Sequence, residues 1–340
     1  SNYDAVPAIF KDQSVTIGNY EALREQFGTP FRLNVGNNSH FIVKYDETLL
    51  QDILSQSDQL DAISQLQILQ DLRLLAEGRQ ISYAQLVPLL GRFANSHSAV
   101  VTAALYRVAV NLKKFVTAHS DEEKALKGLY DQLSQDQLAR LGWQDIDGES
   151  NDDQLSRPYI INAALYAENP AAIAAAHDIF VAHENDLTSL SAGTRVFILA
   201  NEMKQFGSAD LFNQLLAEYH ATSDASYQSD LRAAITSTTD KALIEQLVGK
   251  FEDADTIKPQ DLRGWFYGLL ANEDGQQAAW DWVREEWQWL EDTVGGDMEF
   301  TTYITVIANV FKTQTRLDEF KAFFEPKLDT PGLTREIKMD

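Results

Sequence analysis

Cysteine is missing from this 340-residue chain, and with it go disulfides, thiolate metal sites and cysteine nucleophiles. Basic residues are scarce, 28 Lys and Arg against 51 Asp and Glu, for a formal charge of −23. A chain so acidic repels phosphate backbones, which argues against nucleic acid as a partner. No run of eighteen apolar residues occurs, so no membrane-spanning helix is expected and a membrane is not a partner. No basic-then-apolar leader opens the sequence, which points to the cytoplasm. The first residues are Ser1-Asn2-Tyr3 rather than Met, the start expected of a piece of a longer protein.

Catalytic signatures are also lacking. There is no G-x-S-x-G elbow, no G-x-x-x-x-G-K and no G-x-G-x-x-G. The six histidines contain no H-E-x-x-H; His177 and His183 are six apart, about 240° around a helix. The acidic stretch 145–153 has a calcium-like composition, but its glycine, Gly148, is misplaced and no glutamate closes the loop, so it reads as a solvated linker. The expectation is a chain with no catalytic residue, no metal site and no cofactor of its own.

What is present is apolar periodicity, in two registers. Residues 31–45 alternate: Phe31, Leu33 and Val35, then Phe41, Val43 and Tyr45, flanking the turn formers Gly36-Asn37-Asn38-Ser39. That spacing predicts a β-hairpin, with further strands near Val6–Phe10 and Val15–Ile17, so that 1–46 would be the tail of a β-sandwich. From Asp46 the period becomes helical, with stripes such as Val101, Ala104, Leu105, Val108, Leu112 and Phe115. Breaks with capping residues fall at Ser120-Asp121, Asn169-Pro170, Gly207-Ser208, Thr239-Asp240, Lys258-Pro259 and Gly295-Gly296. About sixteen helices with short connections predict a HEAT- or armadillo-like α-solenoid of antiparallel pairs over 47–340.

Two sets of residues stand out within that array. Arg157, Arg195, Arg232 and Arg263 each precede apolar residues and recur 38, 37 and 31 residues apart, as if opening one helix in each pair. Either they meet the carboxylates of a bound peptide or partner, or they form an internal ladder with acids such as Asp153, Asp230 or Asp261. Trp280, Trp282, Trp287 and Trp289 are expected on one helix, with Trp282 and Trp289 on the side opposite Trp280 and Trp287. That leaves Trp282 and Trp289 as candidates for an interface, or the whole helix as a middle layer.

Several motifs resemble, in order, those of M1-family (gluzincin) zinc aminopeptidases. Residues 39–46 fit the G-[YF]-[YF]-R-V-x-Y-D that ends the family's small β-sandwich domain. Phe41, Val43, Tyr45 and Asp46 are kept; Ser39 replaces the glycine and Ile42 the arginine. Gln70-Asp71-Leu72 with Leu75-Ala76-Glu77-Gly78, Leu141-Gly142-Trp143 and Leu155-Ser156-Arg157-Pro158 follow, then Leu262-Arg263-Gly264-Trp265 and Ala279-Trp280-Asp281-Trp282-Val283. The resemblance implies the non-catalytic C-terminal region of a zinc aminopeptidase. Its partners would be an upstream catalytic domain of the same chain, which holds the zinc, and peptide substrates that the helices cover and help select. The alternative is a free-standing helical-repeat scaffold that binds a protein partner.

Overall fold

The computed structural model describes residues 20–27, 32–36, 38, 42–295 and 301–327. Among them every regular element is helical. One helix, α1 (Tyr20–Phe27), lies in the part expected to be β. The described portions of 31–45 contain bends and a turn but no strand, and residues 31, 37 and 39–41 of the expected hairpin lie outside the described residues. The expected strands near Val6–Phe10 and Val15–Ile17 lie outside the described residues. A ladder needs a partner edge, and the backbone donors here go to side chains instead. Val43 N–H donates to Asp71 Oδ2 (3.3 Å) and Leu33 N–H to the Tyr45 hydroxyl (3.3 Å).

From residue 47 the described chain runs through sixteen α-helices. It divides into two compact units, residues 1–108 and 109–340. In the first, α2 (Glu47–Leu54), α3 (Ala62–Glu77) and α4 (Tyr83–Leu90) bury Ile53, Leu54, Leu69, Leu86 and Leu90. Asp46 and Asp61 cap α2 and α3, and Ser82 with Gln85 forms a full capping box on α4. Helix α5 (Ala99–Leu112) carries the chain into the second unit. It ends at Leu112, so Phe115, counted in its apolar stripe, falls beyond it and is 64% exposed.

The second unit continues with α6 (Asp121–Leu141), α7 (Asn151–Tyr166), α8 (Pro170–His183), α9 (Arg195–Phe206), α10 (Ala209–Ala221) and α11 (Ala225–Ile235). It goes on through α12 (Lys241–Val248), α13 (Pro259–Ala271), α14 (Gln276–Glu285), α15 (Trp287–Val294), α16 (Thr302–Val310) and α17 (Gln314–Phe324). The caps expected from the sequence are in place: Ser120, Asn169, Ser208 and Asp240 each accept backbone N–H bonds at a helix start. Pro170 and Pro259 open their helices at the first turn, where no N–H is needed.

Packing along one series skips one helix at a time from α7 to α13 and two at its last step. Helix α7 packs on α9, α9 on α11, α11 on α13 and α13 on α16, while α8, α10 and α14 pack against members of that series. One continuous apolar cluster runs from Phe180 on α8 to Phe324 on α17. Its most aromatic stretch surrounds Trp280, whose indole meets the rings of Phe311, Phe323 and Phe324. The indole N–H of Trp280 donates to Glu319 Oε2 (2.9 Å), which ties α14 to α17.

Candidate functional site

The four repeated arginines fall on α7, α9, α11 and α13, the helices that stack on one another. Only Arg195 opens its helix; Arg157 and Arg263 lie inside theirs, and Arg232 is in the last turn of α11. The helices begin earlier than expected because Ser150, Asp224 and the pair Lys258-Pro259 supply their starts.

Their surroundings differ. Arg157 is 1% exposed and fully engaged. Its Nη1 donates to Asp145 Oδ1 (2.8 Å) and Glu149 Oε1 (2.9 Å), and its Nη2 to the other Glu149 oxygen. Nε and Nη2 also donate to the Leu141 carbonyl at 3.3 and 3.2 Å. The acidic stretch read as a solvated linker is therefore folded around a buried guanidinium, because a charge removed from water must be paired. Arg157 bonds hold the Glu149 carboxyl below its ordinary value. Asp153 pairs instead with Arg140 (2.7 Å).

Arg195 reaches the next stacked helix. Its Nε donates to Asp230 Oδ2 (2.8 Å), and its guanidinium lies 4.5 Å from the centre of the Tyr227 ring. Burial raises the Asp230 carboxyl, and the Arg195 bond works against that. Arg263 Nη1 donates to Thr302 Oγ1 (3.1 Å) on α16. Arg232 makes no ion pair among the described residues; it donates to Ser229 Oγ (3.3 Å) and opens on a cavity.

The tryptophans occupy two helices, not one, because the chain turns at Glu286 between α14 and α15. Trp282 is 4% exposed, packed on Phe251, Phe266 and Trp289, with its indole N–H donating to Glu252 Oε1 (3.1 Å). Trp289 is half-buried against the same core.

His177 and His183 share α8 but have separate partners. His177 Nδ1 lies 2.8 Å from Glu202 Oε2, with its ring stacked on Phe206, and His183 Nδ1 lies 2.7 Å from Ser189 Oγ. Among the described residues no group of three His, Cys, Asp or Glu is arranged to hold a metal ion. The zinc implied by the sequence resemblance has no fitting donor set here, so no hydrolytic step is assigned to these residues. No helix among the described residues is long and apolar enough to cross a membrane.

The cavity beside Arg232 holds about 750 Å³ and lies wholly within the second unit. Its walls are helix ends: Lys113 just past α5, Tyr166 and Glu168 at the end of α7, Lys204 in the last turn of α9, Arg232 in the last turn of α11, and Lys312 just past α16. Helix C-termini carry partial negative charge and exposed carbonyls, which favours cations there. Five of the chain's 28 bases line this one cavity: those four and Lys127 of α6. Gly264 and Gly268 of α13 also line it, and there α13 approaches α11 so closely that a methyl group would lie 2.8 Å from Arg232 Cζ and 2.5 Å from Thr236 Oγ1. Asn272 fastens the end of α13 to α11 by donating to the Thr236 and Thr238 carbonyls (2.9 and 2.7 Å).

The cations here are of two kinds. Lys127 and Lys204 both bind Glu168, at 3.0 and 2.9 Å. Burial opposes the ionised form of Glu168, but those two bonds outweigh it and hold the carboxyl below its ordinary value. Lys113, Arg232 and Lys312 make no ion pair among the described residues. Lys113 Nζ lies 3.4 Å above the Tyr166 ring and 5.2 Å from that of Tyr130. Ring faces favour the ammonium. Burial opposes it, reinforced by Lys312 and Lys204, and the amine is pulled down to about 8. Against the lining acids Glu123, Glu168, Glu273 and Asp274 the five bases leave a small positive excess in an acidic chain, and a concave site of that kind suits an anion. Sequence reasoning singled out only Arg232 of this group; bases at or just past the ends of α5, α9 and α16 were the available signal for Lys113, Lys204 and Lys312.

Comparison with known proteins agrees with the motif order. The chain is 58% identical over 340 residues to aminopeptidase N of Lactobacillus helveticus and 52% identical to that of Lactobacillus delbrueckii subsp. lactis. Each match covers 100% of this chain and 40% of the relative, so the chain spans well under half the length of those proteins. Aminopeptidase M1 of Arabidopsis thaliana is 24% identical over 320 residues, 90% of this chain and 35% of its own. The profile of the ERAP1-like C-terminal domain matches residues 31–340, and the chain belongs to that family.

Proposed function

We propose that this chain is the carboxyl-terminal, substrate-handling region of a cytoplasmic zinc aminopeptidase, which removes N-terminal residues from peptides through a catalytic domain outside these 340 residues. The observation that carries this is the end-to-end match to aminopeptidase N proteins of which the chain covers only 40%. The skipping contacts from α7 to α16 support a HEAT-like array, which would cover the active site and hold the distal part of a peptide. Within the array the cavity is the best-equipped place for that task. Arg232, Lys113 and Lys312 offer their charges to the carboxylates of a peptide, while Arg157 and Arg195 spend theirs inside the fold. Trp282 and Trp289 hold the array together rather than line the cavity.

The test uses the whole enzyme. Arg232→Ala should raise KM several-fold for a peptide of about ten residues with a free carboxyl terminus, a loss of about 1 kcal/mol for one charge-assisted contact. It should leave hydrolysis of a small aminoacyl nitroanilide unchanged. Equal effects on both substrates, or none on either, would remove the cavity from substrate handling. Turnover by the 340-residue chain alone, with stoichiometric zinc, would overturn the assignment of catalysis to another domain.

A further inference from the structure

Lys113 is unusual among the lysines of this chain. It sits at the cavity wall over two tyrosine rings rather than beside a carboxylate. An amine pulled down to about 8 is partly neutral near neutrality, and its neutral form is a nucleophile, whereas an exposed lysine is almost wholly protonated there. The same cavity presents Arg232 and Lys312 with no acid paired to them among the described residues, and its five bases against the four acids Glu123, Glu168, Glu273 and Asp274 leave a small excess of positive charge for a dianion.

We propose that Lys113 is a covalent modification site, acylated by small acyl phosphates that bind in the cavity with their phosphate toward Arg232 and Lys312. The lone pair of the neutral Nζ attacks the acyl carbon, and the bond from that carbon to the phosphate oxygen breaks. Phosphate leaves with the electron pair, and the extra proton on nitrogen passes to solvent. The products are an amide and inorganic phosphate, with no oxidant or reductant required. The neighbouring guanidinium and ammonium stabilise the charge that gathers on the leaving phosphate. The amide carries no charge, so the cavity loses one of its three unpaired cations. This inference is independent of the peptidase assignment, because every group it uses lies in the cavity itself.

The experiment treats the protein at its full natural length with acetyl phosphate near pH 8 and follows each lysine by peptide mass spectrometry. Exposed Lys124, Lys241 and Lys321 serve as internal references. Lys113 should be acetylated about tenfold faster than these, reflecting its larger neutral fraction. Inorganic phosphate in excess should slow Lys113 alone, and an uncharged acetylating ester should lose that phosphate sensitivity. The charges facing Nζ are Lys312 and Lys204, which favour the neutral amine, and Glu123 and Glu273, which oppose it. Arg232, Lys127, Glu168, Asp274 and His119 complete the charged and titratable lining. The Lys113 rate should therefore level off above about pH 8, while the references are still climbing. Acetylation of Lys113 no faster than the references, or phosphate slowing all lysines alike, would overturn the proposal. Neither outcome depends on a variant that has to fold.

Discussion

Arg157 and Arg232 sit on helices of the same stacked series, 75 residues apart, and have opposite fates. Around Arg157 the connection between α6 and α7 brings up Asp145, Glu149 and the Leu141 carbonyl until every face of the guanidinium is engaged. Around Arg232 the helix ends gather more cations; of the lining acids, Glu168 is taken by Lys127 and Lys204 and Glu123 by the backbone N–H of His119 at 2.8 Å, while Glu273 and Asp274 make no ion pair among the described residues. A charge buried with its partners fixes architecture, while one left at a cavity wall is available for a ligand. The repeat supplied one residue type, and the local connections decided which task each copy performs.

Substitutions can break or sharpen that contrast. Arg157→Ala leaves two carboxylates around an empty site and should lower unfolding stability by about 3–5 kcal/mol, read as a shift in urea midpoint. Arg157→Lys should recover little of it, because a single ammonium cannot reproduce the forked geometry. Next comes Gly268→Ala, which drives a methyl into Thr236 where α11 and α13 approach; a loss of about 1–3 kcal/mol is expected, measured by thermal unfolding.

Acidification separates the two regions further. Glu149 has a lowered value when folded, so its stabilisation is complete above the ordinary carboxylate value and is lost as pH falls through the folded one. Asp230 has a raised value, so its effect runs the other way, and folding gains as pH falls into that window. Glu149→Gln should therefore destabilise the protein at pH 7 and flatten the acid side of its stability curve, and a wild-type slope in that variant would refute the pairing. The smallest effect belongs to Arg232→Ala, which should leave the thermal midpoint unmoved, within about 0.5 kcal/mol. A large loss there would mean that Arg232, too, serves the fold.

Much of the helical array was legible in the sequence. Ser120, Asn169, Ser208, Asp240 and Pro259 stand where helices start, since capping chemistry is local and readable one residue at a time. The alternating residues around 31–45 form no strand where they are described: alternation marks a half-buried face, and a strand also needs an edge to pair with. The split between α14 and α15 carried no glycine or proline, and apolar residues continue through Glu286 with helical spacing. The cavity was least legible. Its unpaired cations come from positions 113, 232 and 312, and only the stacking of helix ends brings them together. The partners of Arg157 were in plain view at 145 and 149, but an acidic stretch looks the same whether it solvates itself or encloses a cation.

Gly264 gives the cavity an independent control. Its missing side chain is the room in which the Arg232 guanidinium lies. One methyl group at that position would swing the arginine aside without adding or deleting a charge. The fit between helices, and not the inventory of ionic groups, then becomes the variable through which a relative of this chain can change what it admits, by a single-codon change on a helix that itself carries none of the cavity's cations.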